Sequence, residues 1–257
     1  MSSYCYWSVA DGEHADMMKS AINSARNVGV REDFHVWSDK EIDGAINHDC
    51  GKFDKQHYLF KFRFLKQNVV RELNYDYLIF LDADTYFTRN PGNLLRLLYG
   101  APIHVCMESD CASLDNTRPD WWGCPLDKYV NIMRIRGVKS KAIYNTNAGF
   151  WIVKKDAIDI FFNLAIDFWS YCKNKEGITF TEEAPLAYAG HMLMGNPYLH
   201  TLKSHRDVWA SDWTGNYKDR VPDGQSWLFE DYMSGEKFTV NPAIVHAMRS
   251  KNALRNM

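Results

Sequence analysis

The sequence predicts an α/β protein with a mostly parallel central sheet and helices on both faces. Three observations carry this reading. Short apolar runs alternate with amphipathic segments of helical spacing, which is the pattern of successive β-α-β units. The run Leu78-Ile79-Phe80-Leu81 is apolar at every position, as a strand covered on both faces requires. It stops abruptly at Asp82-Ala83-Asp84, which puts carboxylates at a strand's C-terminal end, where open α/β sheets bind their ligands.

The elements follow in order. Residues 4–10 read as the first strand. Residues 15–28 read as a helix, with Met18, Ala21, Ile22 and Ala25 on one face. Residues 34–37 form a second strand and complete a β-α-β start. Tyr58, Phe62, Leu65, Val69 and Leu73 mark one face of a single helix that leads into the strand at 78–81. Pro91 sits where a helix over 93–98 begins. A strand at 103–107 follows. Residues 110–128, rich in Asp, Asn, Pro, Gly and Trp, read as a loop. Residues 150–153 form a strand and 157–171 an amphipathic helix. The helix at 183–194 tolerates Pro185 in its first turn. Residues 203–237 are polar, aromatic and irregular. A last strand at 243–245 ends at His246.

Composition sets the class. The chain has 257 residues, 46% hydrophobic and 24% charged, as a globular protein does. A formal net charge of −2 argues against non-specific nucleic-acid binding, which needs a basic surface. No apolar run approaches the roughly 20 residues of a membrane span, and the polar start Met1 to Trp7 shows no signal peptide. Six scattered cysteines without a C-x-x-C pair read as reduced thiols with packing or surface roles.

The chemistry begins at Asp82 and Asp84. In a strand, residues i and i+2 point to one side, so the two carboxylates would face the same way. Like charges that close need a cation, and a hard divalent ion that also holds a phosphate suits them. Three further features follow: Asn147-Ala148-Gly149 as a turn before a strand, Glu182-Glu183-x-x-Leu186 at a helix start, and the late His246.

In that order, the four features resemble the nucleotide-sugar glycosyltransferases of the GT-A fold, in particular the glycogenin and lipopolysaccharide galactosyltransferase-like branch. The resemblance implies one GT-A (Rossmann-like) domain over 1–257. Its 1–100 half would bind the nucleotide and its 101–257 half the acceptor. It implies metal-dependent transfer from a UDP-sugar to an acceptor hydroxyl with retention, using Mn²⁺ or Mg²⁺. The reduced cysteines point to the cytoplasm, and a lipid-linked acceptor would need a peripheral contact with a membrane.

The resemblance also distributes roles. Asp84 would be a metal ligand, and Asp82 a ligand or a ribose contact, with Ala83 between them at the nucleotide. His246 would complete the metal shell, since an imidazole beside carboxylates suits Mn²⁺ better than Ca²⁺. Arg249 and Lys251 would grip the diphosphate, although the family's spacing from its histidine to a lysine is interrupted here by Met248 and Arg249. The loop Ala10-Asp11-Gly12 would cup the base, with His14 stacked on it and Asp39 adding a contact. Asp11 has a second reading as the cap of the following helix. On the helix near Phe62, Arg63 is the choice for the cation that reaches the carboxylates, with Lys61 in reserve. Asn147 would bond a sugar hydroxyl, with Gly149 letting the backbone pass close to the sugar. Glu183, rather than Glu182, would lie beneath the sugar as nucleophile or stabiliser; a Thr181 helix cap is its structural alternative. Trp121, Trp122, Trp209 and Trp213 are candidates for an acceptor platform or for core.

Two other classes compete. A haloacid dehalogenase-type phosphatase also ends a strand in Asp-x-Asp, but Tyr86 stands where it places Thr or Val, and no later acid pair follows. A carbohydrate-binding protein of the same fold without turnover would have no chemical reason to keep Asp82, Asp84, Glu183 and His246 together.

Overall fold

The computed structural model describes residues 3–51, 59–66, 68–205, 207–211, 227–231 and 233–248. Strand β1 (Tyr4–Val9) leads through α1 (Glu13–Asn27) to β2 (Phe34–Ser38) and the edge strand β3 (Ile46–Asp49). Helices α2 (Phe60–Lys66) and α3 (Asn68–Glu72) precede β4 (Tyr77–Leu81) and the short β5 (Thr85–Phe87). Then come β6 (Ile103–Asp110), the hairpin β7 (Asp120–Trp121) and β8 (Cys124–Pro125), α4 (Leu126–Ile135) and β9 (Tyr144–Lys154). The remainder is α5 (Ile158–Tyr171), α6 (Glu183–Leu193), α7 (Leu202–His205), β10 (Trp209–Ser211), β11 (Trp227–Glu230), β12 (Lys237–Val240) and β13 (Ile244–His246).

The main sheet has the order β3-β2-β1-β4-β9-β6. Its first four strands pair in parallel, and β9 runs antiparallel to both of its neighbours. A second sheet has the order β10-β13-β5.

The alternation of β4 shows how the core divides. Leu78 and Phe80 pack with Phe62 and Leu65 of α2, Phe161 of α5 and Leu186 of α6. Ile79 and Leu81 face the other layer, with Met18 and Ile22 of α1 and with Trp209 and Val245 of the second sheet. Both faces of β4 are therefore dry, which explains its unbroken apolar run. A third cluster ties α4, α5 and α6 to the β7–β8 hairpin through Trp121, Tyr129, Phe168 and Tyr188. All six cysteines are free and buried, so packing is their role.

Several expected elements change. The helix expected before β4 is described over Phe60–Lys66 and Asn68–Glu72, with residue 67 outside the described residues. Residues 94–98 form a 3₁₀ turn rather than an α-helix, capped by Asn93, whose Oδ1 accepts from Leu95 N–H at 3.0 Å. The expected loop at 110–128 contains a hairpin and the first residues of α4. Strand β9 is 11 residues long and begins at Tyr144, so Asn147-Ala148-Gly149 lies inside a strand rather than in a turn before one. The irregular stretch after 203 contains β10, β11 and part of β12. The N-cap residue of α1 is Gly12, which makes no side-chain capping bond.

A candidate metal and sugar-nucleotide site

Strand β4 ends at Leu81, and Asp82 to Asp84 form the turn into β5. The two carboxylates therefore converge through a turn and not through strand pleating. Two backbone bonds hold that turn. Asp82 N–H donates to Gly149 O at 2.9 Å, and Ala247 N–H donates to Asp84 O at 2.7 Å. Antiparallel pairing sets His246 of β13 opposite Thr85 of β5. A late strand is thereby brought to the carboxylates.

His246 is 4% exposed and lies against the Trp209 ring, with centroids 5.6 Å apart. Its Nε2 is 3.1 Å from Asp84 Oδ1 and 3.7 Å from Asp82 Oδ2. Its Nδ1 is 3.1 Å from Asn147 Oδ1, and that oxygen also accepts from Gly149 N–H at 2.8 Å. The backbone donor fixes which end of the Asn147 amide is oxygen. Nδ1 must then carry a proton, and Nε2 is directed at the carboxylates. Burial disfavours a charged imidazole, but the Asp84 carboxylate, by charge and hydrogen bond, raises the His246 pKa overall. Gly149 makes this packing possible, since a Cβ there would lie 2.8 Å from His246 Nδ1. Its lack of a side chain makes room for the imidazole.

Asp82, Asp84 and His246 each offer one ligand atom, all within 4.8 Å of one another. Two oxygens and one imidazole nitrogen form a donor set that accepts Mn²⁺ or Mg²⁺, with the nitrogen favouring Mn²⁺. Burial raises the Asp82 pKa against the pull of Lys61 and His246, as expected of a carboxylate short of positive charge.

Lys61 supplies part of that charge. Its Nζ lies 2.8 Å from Asp82 Oδ1, 3.0 Å from Glu182 Oε1 and 5.0 Å from the Phe80 ring centroid. Burial works against its charge, yet Asp82 and Glu182 hold its pKa above the usual lysine value. Lys61, the reserve choice, thus reaches the carboxylates. The side chain of Arg63, the first choice, lies outside the described residues. The cue for Lys61 in the sequence was its place between Phe60 and Phe62.

At the start of α6, Glu182 is committed to Lys61. Glu183 accepts a hydrogen bond from Trp122 Nε1. Burial, then the charges of Glu108 and Glu182, push the Glu183 pKa up to about 8 against that bond and Lys61. Glu183 is consequently mostly a neutral acid at pH 7. Thr181 caps nothing, and its hydroxyl has no partner among the described residues.

These groups line one cavity of about 350 Å³ at the C-terminal ends of the parallel strands, which Asp11, His14, Ala83 and Thr181 also border. A smaller cavity of about 210 Å³ adjoins it, sharing Trp122, Asn147, Glu183 and Met248. A larger, more open groove of about 950 Å³ lies at the opposite strand ends, near Tyr4, Tyr77 and Lys154, and contains none of the converging carboxylates. Chemistry rather than size marks the site.

The other expected residues sit as follows. Ala10 is buried beside the cavity wall. Asp39 Oδ1 accepts from Gly12 N–H at 3.0 Å and so shapes the loop after β1. Trp209 is buried beneath His246, Trp121 is core, and Trp122 is 55% exposed. Lys251, Arg249 and Trp213 lie outside the described residues. Sequence reasoning missed Glu108, which sits on β6 and carries no motif.

No family model matches the chain, and no curated protein matches it by sequence. Among solved structures it is similar to the WbbM bifunctional glycosyltransferase in its apo form, with a TM-score of 0.56 and 11% sequence identity. The likeness covers 96% of this chain and 46% of that protein, so this chain spans about half its length. At that identity the likeness is one of fold, the Rossmann-like α/β arrangement described above.

Proposed function

We propose that this chain is a metal-dependent glycosyltransferase that moves a sugar from a UDP-sugar to an acceptor hydroxyl with retention. The observation that carries the reading is the convergence of Asp82, Asp84 and His246, with ligand atoms within 4.8 Å, beside Glu183 at the C-terminal end of a parallel sheet. The fold shared with a glycosyltransferase supports it.

Asp82, Asp84 and His246 would hold Mn²⁺ or Mg²⁺. Bound there, the cation supplies positive charge against the charge that develops on the leaving diphosphate. Asn147 fixes the His246 tautomer, and its amide nitrogen borders the cavity where the donor sugar would lie. Lys61 orients Asp82 and Glu182 and lowers their mutual repulsion. Asp11 and His14 flank the space for the base. Glu183, at the junction of the two cavities, would once deprotonated steady an oxocarbenium-like sugar or attack it. Lys251 remains a candidate grip on the diphosphate.

Calorimetry of UDP with and without Mn²⁺ tests the donor half. Binding should require the metal and should vanish in Asp84→Ala; binding indifferent to chelator and to that change rejects the model. NMR of the product's anomeric proton tests the stereochemistry, and inversion would remove the role given to Glu183.

A further inference from the structure

The smaller cavity has a composition that the donor chemistry does not use. Glu108 of β6, Asp120 of β7 and Glu183 all line it, together with Trp121 and Trp122. Among the described residues no lysine or arginine lines it. Burial, then nearby Asp231, pushes the Glu108 pKa up to about 8, the mark of a carboxylate without a counter-ion. Asn145 also lines the cavity. It is 1% exposed, its Oδ1 accepts from Ser109 N–H at 2.7 Å, and its Nδ2 donor has no partner among the described residues. Such a buried donor is costly unless a ligand satisfies it. Trp122 holds φ at 52°, a backbone region uncommon for a bulky residue, and its indole stands at the cavity rim.

We propose that this cavity binds an amino sugar as acceptor, its ammonium paired with Glu108 and Asp120 and its ring lying on Trp122. The assignment rests on the transferase reading only in calling this sugar the acceptor. An anionic ligand would add negative charge beside three acidic side chains and hold Glu108 and Glu183 in their neutral forms. A neutral sugar would satisfy Asn145 but leave those carboxylates without positive charge. An ammonium supplies that charge and is attracted to indole faces, while a ring hydroxyl accepts from Asn145 Nδ2. At about 210 Å³ the cavity is smaller than the roughly 300–1,000 Å³ of sites for drug-sized ligands, which suits one sugar ring. Glu183, shared by both cavities, would stand between this ring and the donor sugar.

Saturation-transfer NMR tests this with D-glucosamine, D-glucose and N-acetyl-D-glucosamine. UDP and diamagnetic Mg²⁺ are present in the same tube. D-glucosamine should be saturated strongly and the two uncharged sugars weakly. Glu108→Gln should weaken D-glucosamine by about tenfold, the measure of one charge-assisted hydrogen bond. Trp122→Ala should weaken it too, while Trp122→Phe, which keeps a ring, should retain most of the binding. Equal saturation of glucose and glucosamine, no saturation of any sugar, or an unchanged Glu108→Gln overturns the proposal. The UDP signals separate the two readings. Saturated UDP without sugar rejects the amino-sugar assignment alone. Bound glucosamine without UDP keeps the cavity's ligand and rejects the transferase reading.

Discussion

Gly149→Ala adds one methyl group at the most crowded point of the site. The new Cβ would lie 2.8 Å from His246 Nδ1 and 2.9 Å from both His246 Cε1 and Asn147 Oδ1. Ordinary contact begins at 3.4 Å, so the imidazole must retreat by about 0.6 Å, because short-range repulsion rises steeply. The strand cannot easily yield instead. Gly149 N–H is bonded to Asn147 at 2.8 Å and its carbonyl to Asp82 N–H at 2.9 Å. Overpacking of this kind costs about 1–3 kcal/mol, offset by up to about 1 kcal/mol from the stiffer unfolded chain. A net loss of about 1–2 kcal/mol corresponds to a fall in Tm of roughly 2–8 °C for a chain of this size. The larger effect should be on the cation. Displacing a ligand and its orienting amide typically lowers metal affinity by about 10–100-fold. Thermal unfolding and Mn²⁺ calorimetry on the purified variant read both quantities. Unchanged Tm together with wild-type Mn²⁺ affinity would refute the argument, because His246 would then not be held against β9.

Three further outcomes follow from the same geometry. Lys61→Met leaves Asp82 and Glu182 without their shared cation, and breaking a buried pair of this kind costs about 3–5 kcal/mol; a urea midpoint equal to wild type would show that the pair contributes nothing. Trp122→Phe removes the hydrogen bond that opposes the rise in Glu183 pKa, so titration of ¹³C-labelled glutamate should place it above about 8, and a lower value contradicts the assignment. Burial holds His191 and His200 down to about 4, so their contribution to stability is complete above pH 6.5 and is lost as pH falls from 6.5 towards 4, at roughly 3 kcal/mol each. Urea melts at pH 7.5, 6 and 5 measure this loss, and a flat profile refutes it.

The β-α-β start, β4 and the cluster at its end could be read from the chain because their signals are local. An apolar run interrupted by acids needs no partner to be recognised. Strand β9 was read too short because Asn145, Thr146 and Asn147 are polar yet buried, each serving a neighbour rather than the solvent pattern. Strand β13 could be read from its apolar run at 243–245, but β5 is three residues long and exists by pairing with it, a fact that no window along the chain contains. Helix α4 was hidden behind a hairpin of Trp, Gly and Pro. That Lys61 reaches Asp82 and Glu182 is a tertiary fact. Phe60, Phe62 and Phe64 flank Lys61 and Arg63 alike, so local spacing could not choose between them. Glu108 shows a different limit. Its place between a polar cavity and Asp231 is made by tertiary packing alone.

The pairing of β5 with β13 also bears on how the protein reaches its folded state. It joins two ends of one ligand set across more than 150 residues. The parallel unit β1 to β4 can form from contacts near in sequence, yet at that stage Asp82 and Asp84 would face each other without an imidazole. Long-range closures of this sort form slowly, so competence to bind a divalent cation should be among the last properties acquired during refolding. Linkage then works in the opposite direction. A cation that binds only the completed set adds about 1.4 kcal/mol to the docking of β13 for each tenfold rise in its concentration above Kd. Ion availability would thereby govern how firmly the far end of the chain is fastened to the sheet.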